Sequence, residues 1–394
     1  MKKILLASAA IAFGATGAYA DDVKMGVLLG FTGPLESLAP GMAKGAEMAI
    51  KEVSESGKLL GGDTVTPIEA DSTCVDAAAA TAAGETLVTS DKVSGIVGAM
   101  CSGATTAVLQ NVAMANGMVM ISPSATSPAL TTLPDDGLFF RTAPSDARQG
   151  DVMADEILEK GIKSVAVTYT NNDYGKGLAD SFEKAYEAKG GKVTISAAHE
   201  DGKGDYSAEV GSLASAGGDA LVIAGYVDQG GSGILRGALD TGAFSKFVFP
   251  DGMVSQTLQD NFGSEINGSF GQLPDSAGQG MQTYLGMAKA AGYDGSSAYS
   301  GGSYDAAALI MLAMEAANST DPKVYKDKIM DIANGPGEKI YPGELAKGLE
   351  LIKEGKPIDY EGATAIKLIG NGEAAGTFRE IEIKDGKIET VKYR

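Results

Sequence analysis

The sequence predicts an α/β protein with two lobes, each built on a mostly parallel β-sheet. Short apolar runs alternate with helical patterns from residue 23 onward, which is typical of parallel strands covered on both faces by helices. The alternation begins again after Phe139-Phe140-Arg141, which indicates a second unit of the same kind. The 394 residues are too many for one average domain and enough for two.

The first series of elements contains four strands and three helices. The apolar run 23–29 ends at Gly30, and the helical stretch 41–57 places Met42, Ala46 and Ile50 on one face. The series continues with strands 64–70, 93–99 and 118–122 and helices 75–89 and 103–115. Because these strands are short and apolar with helices between them, we expect one parallel sheet with helices on both faces.

The second series pairs four helices with four strands. The predicted helices are 147–160, 176–189, 206–216 and 233–241, and the strands are 164–169, 192–197, 220–224 and 246–249. Helical patterns return at 279–291 and 304–318. The tail instead alternates over 364–369, 377–383 and 387–392 around Asn371-Gly372 and Asp385-Gly386, which predicts antiparallel hairpins. No low-complexity linker separates the lobes, so we expect the chain to pass between them more than once.

The N-terminus has the pattern of a secretory signal peptide over residues 1–20. Lys2 and Lys3 precede an uncharged apolar stretch, and Ala18-Tyr19-Ala20 forms a small-x-small cleavage site. The apolar stretch is short for a membrane span. We therefore expect an exported protein that has no lipid anchor, because no cysteine lies near the cleavage site.

The charge and the cysteines narrow the choice of partners. The net charge is −19, and because residues 1–20 carry two lysines and no acid, the remainder carries −21. Such a chain should repel nucleic acid and anionic membranes, and we expect a soluble monomer. The only two cysteines, Cys74 and Cys101, indicate one disulfide in an exported chain, worth about 3–4 kcal/mol. Two free buried thiols are the alternative.

Motifs for catalysis and for cofactors are missing from the sequence. No GxGxxG follows the first strand, and neither a P-loop lysine motif nor a GxSxG elbow occurs. The only histidine, His199, lies in a polar run and is interpreted as a solvated loop residue. Two cysteines and one histidine make no convincing zinc site. We expect no cofactor, no metal and no enzymatic activity.

Polar residues cluster just after predicted strands, where open α/β sheets bind ligands. Ser102 follows the third strand as a candidate N-cap, at a helix N-terminus that favours anions. The hydroxyl-rich loop 122–128 follows the fourth strand, and Tyr174, Tyr226 and Asp251 follow strands of the second lobe. Hydroxyl and N–H groups on one side, with an acid on the other, suit a zwitterion whose ammonium would meet Asp251.

Several motifs together resemble the leucine/isoleucine/valine-binding proteins of branched-chain amino-acid ABC transporters. These motifs are Thr32-Gly33-Pro34, Cys74 with Cys101-Ser102, the SPSATSP loop, NDYGKGLA at 172–179 and FPDG at 249–252. The resemblance implies a type I periplasmic binding protein: two Rossmann-like lobes joined by a multi-crossover hinge, which close on the ligand like a Venus flytrap. It places 21–141 with 273–356 in the N-terminal lobe and 142–272 with 357–394 in the C-terminal lobe.

The resemblance also implies the roles of individual residues. Ser102, Ser124 and Thr126 would hold the carboxylate end of an amino acid and part of its ammonium. Tyr226 and Asp251 would complete the ammonium site, while Tyr174 closes from the second lobe. Further candidates for the pocket wall are Met100, Cys101, Ala125 and Tyr299. The partners would be the amino acid and the membrane permease subunits of the transporter, in the periplasm.

Two positions depart from the family pattern and leave the ligand open. Asp251 stands where branched-chain binders often carry Glu, and Leu38 stands where many members carry an aromatic residue over the ligand. One alternative is a binder of another small amide or carboxylate, such as an aromatic acid or a urea-like amide, for which Asp251 would be dispensable. The other is a hydrolytic enzyme that uses Asp251 or Asp173 as a general base.

Overall fold

The computed structural model describes residues 21–394. The predicted signal peptide at 1–20 lies outside the described residues. Within 21–394, every helix falls short of the length and apolarity that crossing a bilayer requires.

Sixteen strands are found in the described chain. In order they are β1 (Asp22–Leu29), β2 (Thr64–Asp71), β3 (Ile96–Gly98), β4 (Met120–Ser122), β5 (Phe139–Arg141), β6 (Ser164–Thr170), β7 (Lys192–His199), β8 (Ala220–Ala224), β9 (Phe247–Phe249), β10 (Phe270–Pro274), β11 (Glu338–Ile340), β12 (Ile358–Tyr360), β13 (Leu368–Ile369), β14 (Glu373–Ala374), β15 (Phe378–Lys384) and β16 (Lys387–Tyr393).

Fifteen α-helical segments accompany these strands. They are α1 (Ala39–Ser56), α2 (Ala77–Glu85), α3 (Ser102–Val108), α4 (Met114–Asn116), α5 (Ala129–Thr132), α6 (Asp146–Glu159), α7 (Asp173–Ala188), α8 (Ser207–Ala216), α9 (Gly230–Thr241), α10 (Gln256–Phe262), α11 (Gln279–Ala290), α12 (Ser300–Ala317), α13 (Pro322–Tyr325), α14 (Ile329–Asn334) and α15 (Leu345–Lys353).

Two seven-stranded sheets form the centres of two lobes, as predicted. The first sheet has the order β13-β14-β5-β4-β3-β1-β2, and only β13 is antiparallel to its neighbour. The second has the order β16-β15-β10-β9-β8-β6-β7, with the antiparallel hairpin β15-β16 at its edge. The predicted fold class, α/β with two mostly parallel sheets, is confirmed.

The helices pack closely on these sheets because the contacting residues are small and apolar. In α12, the residues from Ser300 to Glu315 are all buried, and the helix runs beside α1 in the first lobe. The closest approach lies at Gly45, where an added Cβ would come 2.1 Å from the carbonyl oxygen of Ser300. A side chain at position 45 would therefore push α1 away from α12.

The chain passes between the two seven-stranded sheets three times: after β5, after β10 and between β14 and β15. The strands β11 and β12 form a separate two-stranded sheet. The predicted division differs from the sheets at the last of these, because we assigned everything beyond 356 to the C-terminal lobe. The strands β13 and β14 instead join the first sheet, where Arg141 forms an ion pair with Glu373 at 2.6 Å. Alternation predicts a hairpin but does not indicate which sheet it joins, so the sequence pattern could not place this one.

Candidate ligand-binding site between the lobes

A narrow cavity lies between the two lobes, at the carboxyl ends of their parallel strands. Side chains from both lobes line it: Leu35, Met100, Cys101, Ser102, Ser124, Tyr174, Tyr226, Asp251, Gly252 and Tyr299. We call this cavity the ligand pocket. Most of the predicted site residues meet here, whereas Ala125 and Thr126 are buried but are not among the lining residues.

Asp251 is the charged group of the ligand pocket. It follows β9, is 3% exposed, and its Oδ1 accepts hydrogen bonds from Tyr174 Oη at 2.9 Å and Gln149 Nε2 at 2.8 Å. The hydroxyl of Tyr299 donates to its Oδ2. Burial raises the pKa of Asp251, and the bonds from Tyr299, Gln149 and Tyr174 oppose that rise. Its carboxylate therefore keeps acceptor capacity but has only neutral donors around it.

A second buried acid, Asp146, stands close to Asp251 and was missed by the sequence analysis. It begins α6, is fully buried, and its backbone N–H donates to the carbonyl oxygen of Thr126 at 2.8 Å. Burial, followed by the negative charge of Asp251, raises the pKa of Asp146 well above its usual range, while Thr126 and Arg141 act in the opposite direction. Because the pKa rise is the larger one at Asp146, we expect Asp146 to be the neutral member of the pair and Asp251 the charged one.

The hydroxyl groups of the first lobe tie its two loops together. Ser102 is the first residue of α3 and not its N-cap, which is Cys101, so that prediction was wrong. The Oγ of Ser102 instead accepts the N–H of Ser127 at 3.1 Å. The hydroxyl of Ser124 donates to the carbonyl oxygen of Met100 at 2.7 Å. The loop after β4 is thus fixed against the loop after β3.

Arg141 supports the same loop from behind. This buried side chain donates to the carbonyl oxygens of Ala125 at 3.0 Å and Ser127 at 2.9 Å, besides its ion pair with Glu373. The sequence contains one signal for this role, an arginine at the end of an apolar strand. The sequence analysis uses this arginine only to mark the boundary between the two series of elements. Arg141 fixes the shape of the hydroxyl-rich loop.

Tyrosines form the second-lobe wall of the ligand pocket. The rings of Tyr174 and Tyr226 stack with their centroids 5.1 Å apart and an interplanar angle of 8°. The Oη of Tyr174 also accepts the N–H of Gly252 at 3.1 Å, which orients its hydroxyl toward Asp251. From the first lobe, Leu35 lines the ligand pocket. Leu38, the position where the family pattern has an aromatic residue over the ligand, is buried and does not line the pocket.

The two cysteines form the expected disulfide. Cys74 and Cys101 are bonded, with their Cα atoms 5.1 Å apart, and the described residues contain no free cysteine. The bond joins the loop after β2 to the start of α3. Since Cys101 lines the ligand pocket, the disulfide also stiffens the pocket wall.

His199 is not the solvated loop residue that we predicted. It ends β7, is 1% exposed, and its Nδ1 lies 2.8 Å from the hydroxyl of Thr168. Burial lowers the pKa of His199 to about 4, so the ring is neutral. Charged residues directly follow His199, so the sequence pattern resembles a loop although His199 is the last residue of a buried strand end.

The lobes touch across the mouth of the cleft. Asp228 of the second lobe accepts the N–H of Ser37 at 2.8 Å, and its own N–H donates to the carbonyl oxygen of Pro34 at 3.2 Å. With the bond between Tyr299 and Asp251, these contacts join the lobes on two sides of the ligand pocket. The arrangement can enclose a small polar molecule and shield it from water.

Comparison with known proteins agrees with this architecture. The family model described as "Periplasmic binding protein" matches residues 22–331. The chain is 32% identical over 339 residues to Leu/Ile/Val-binding protein homolog 1 of Brucella melitensis, an alignment that covers 82% of this chain and 86% of that one. It is 35% identical over 230 residues to homolog 3 of the same organism, which covers 56% of this chain and 60% of that one.

Solved structures share the fold at lower sequence identity. The branched-chain amino acid transporter substrate binding protein of Streptococcus pneumoniae, in complex with isoleucine, has a TM-score of 0.77 and 23% identity, covering 94% of this chain and 100% of that one. A solute binding protein of R. palustris in complex with benzoate has a TM-score of 0.76 and 19% identity, with coverages of 94% and 96%. At these identities the likeness concerns the fold alone.

Proposed function

The chain belongs to the family of periplasmic binding proteins, and we propose that it captures an amino acid, branched-chain or otherwise aliphatic, for an ABC transporter. The observation that carries this proposal is Asp251. It is a buried carboxylate on the wall of the ligand pocket, and within residues 21–394 it has no ion-pair partner. A buried charge is costly unless it is paired, so a ligand ammonium is the partner that the site requires.

The remaining residues suit the other parts of an amino acid. Ser102 and Ser124 line the ligand pocket on the first-lobe side, with Thr126 behind them. Ser102 can donate its hydroxyl proton to the carboxylate, whereas Ser124, whose proton lies on Met100, can accept a bond from the ammonium. Tyr226 and Asp251 face the ammonium, and Tyr174 closes over it. Leu35 and Met100 offer apolar surface to a small aliphatic side chain. Cys101, Ala125 and Tyr299 complete the proposed surroundings.

A carboxylate ligand without an ammonium is the second candidate. It is favoured by two observations: three neutral donors already satisfy Asp251 without an ammonium, and burial raises the pKa of that group, which eases its protonation. Tyr174, Tyr226 and Tyr299 would offer aromatic faces to a small aromatic acid. Such a ligand would bind equally well after Asp251 is changed to Asn.

We further propose that the protein is a carrier and not an enzyme. Residues 1–20 would direct it to the periplasm, where it would act as a monomer and deliver its ligand to the permease subunits. The lobes would close on the ligand, and the permease would recognise the closed form.

The test is mass spectrometry of the ligand that is released on denaturing freshly purified protein, followed by calorimetry with that ligand. An aliphatic amino acid that binds one per chain supports the proposal. Release of an aromatic acid, with no heat from leucine, isoleucine or valine, refutes it in favour of the second candidate. Chemical conversion of the bound molecule would reveal an enzyme.

A further inference from the structure

A second cavity lies where the chain passes between the lobes. It is partly open to solvent and is lined by residues of all three crossings, at 142–144, at 273–275 and at 374, 376 and 377. We call it the hinge cavity. It is larger than the ligand pocket.

The walls of the hinge cavity are mostly apolar, with one cation among them. Leu273, Met281 and Leu285 supply apolar surface, and the cation is Arg379 of β15. The side chain of Arg379 is 18% exposed, and its Nε lies 2.8 Å from Oδ2 of Asp275. Asp275 lines the cavity as well, so an amphipathic molecule would meet apolar walls and an ion pair.

The guanidinium of Arg379 keeps donors for a ligand. Only Nε meets Asp275, Nη1 makes a single long bond of 3.5 Å to Thr390, and Nη2 has no hydrogen-bond partner within residues 21–394. Two free donors in one plane match a carboxylate. Arg379 also lines an adjoining, partly open space that reaches Ser37 and Leu38, which offers a path of entry.

Tyr299 is shared by the hinge cavity and the ligand pocket. Its hydroxyl donates to Asp251, so the ring stands between the two spaces with its polar end on the charged group of the pocket. Its φ of 63° lies in the left-handed region, which a bulky residue rarely adopts and which marks functional positions. An occupant of the hinge cavity would touch this ring directly.

We propose that the hinge cavity is a second binding site, for a small carboxylate with an apolar body, and that its occupant strengthens ligand binding in the pocket. Arg379 anchors the carboxylate, and the apolar walls take the body. Since residues of both lobes line the cavity, an occupant contacts both and stabilises the arrangement in which they meet. By thermodynamic linkage, the amino acid then strengthens binding in the hinge cavity by the same factor.

The test is calorimetry with phenylacetate as the probe and leucine as the pocket ligand. We expect the wild type to bind one phenylacetate both with and without leucine, and saturating phenylacetate to tighten leucine binding about fivefold or more. Arg379→Gln should abolish phenylacetate binding and leave leucine binding unchanged when no probe is present. Met281→Trp fills the cavity from a partly exposed position and keeps the arginine. It should also abolish phenylacetate binding and leave leucine binding unchanged when no probe is present.

Each outcome decides between the sites. Competition between phenylacetate and leucine would place the probe in the ligand pocket and overturn the proposal, as would full phenylacetate binding by both variants. Absence of phenylacetate binding to the wild type would also overturn it. If neither leucine nor another aliphatic amino acid binds, the proposed function fails, but phenylacetate binding by the wild type and its loss in both variants still test the hinge cavity.

Discussion

The two faces of the ligand pocket are built differently. The first-lobe face is neutral and is fixed by bonds among its own loops, through Ser102, Ser124, Arg141 and the disulfide. The second-lobe face carries the charged side chain, Asp251. One of the hydrogen bonds that Asp251 accepts comes from Tyr299, on the other side of the cleft. The first face is thus preorganised without a ligand, whereas the second depends on closure. We therefore expect changes on the second face to affect affinity, and changes behind the first face to affect stability as well.

The largest expected effect on affinity follows from neutralising the second face. Asp251→Asn keeps the shape and removes the charge, and it should weaken amino-acid binding by about 2–5 kcal/mol, because the ammonium loses its buried partner. Calorimetry with the released ligand measures this. The matched control is Asp240→Asn, an exposed acid near the end of α9 whose ion-pair contact is with Arg236 of its own helix at 3.8 Å, and it should leave affinity unchanged. Affinity of Asp251→Asn within twofold of wild type would sink the ammonium role.

The same residue predicts a dependence on pH. The pKa of Asp251 is raised by burial, so that its carboxylate takes up a proton at higher pH than an exposed aspartate does. Amino-acid affinity should therefore fall as the pH drops through that raised pKa, and the affinity of Asp251→Asn should stay flat over the same range.

Arg141 tests the support behind the first face. Arg141→Met should lower the free energy of unfolding by about 2–4 kcal/mol, because Glu373 and two backbone carbonyls lose a buried partner. Denaturant unfolding of the ligand-free protein measures the loss. Lys176→Met is the control, since its ion pair with Asp180 is exposed and should contribute little. Equal stability of the two variants would contradict a supporting role for Arg141.

The hydroxyls of the first face should matter less than the acid opposite. Ser102→Ala should cost about 1–3 kcal/mol of affinity, since the ligand carboxylate and the N–H of Ser127 both lose a partner. Thr126→Val should have a smaller effect, because Thr126 lies outside the lining of the pocket and faces Asp146. Calorimetry on the two variants ranks them. A larger loss for Thr126→Val would move the carboxylate site deeper into the first lobe.

The sequence predicted the two sheets and most of the pocket, because both follow from local patterns. Apolar runs define the strands, and polar residues such as Tyr174 and Asp251 follow strand ends that meet at one edge of a sheet. Gln149 and Asp146 escaped prediction because they lie early in a helix, where polar residues are usually solvated. Their burial against Asp251 depends on how the helix packs after the first crossing, which no local pattern records.

Asp146 provides the smallest expected effect on affinity and the sharpest contrast with Asp251. Both acids are buried and close together, but burial and the charge of Asp251 hold Asp146 neutral. Asp146→Asn should therefore leave amino-acid affinity within about threefold of wild type, because an amide replaces a protonated carboxyl of the same shape.

The stability of the same variant should respond to pH in a predictable direction. Folded Asp146 keeps a proton that the unfolded chain releases above pH ~4, so wild-type stability falls as the pH rises from there toward the raised pKa. The stability of Asp146→Asn lacks this fall. Relative to the wild type, the variant should therefore become more stable as the pH rises from 5 to 8, as thermal unfolding at several pH values would measure. If Asp146→Asn instead weakens binding as much as Asp251→Asn does, then Asp146 is ionised and shares the ammonium. In that case the charge of the site belongs to a pair of acids and not to Asp251 alone.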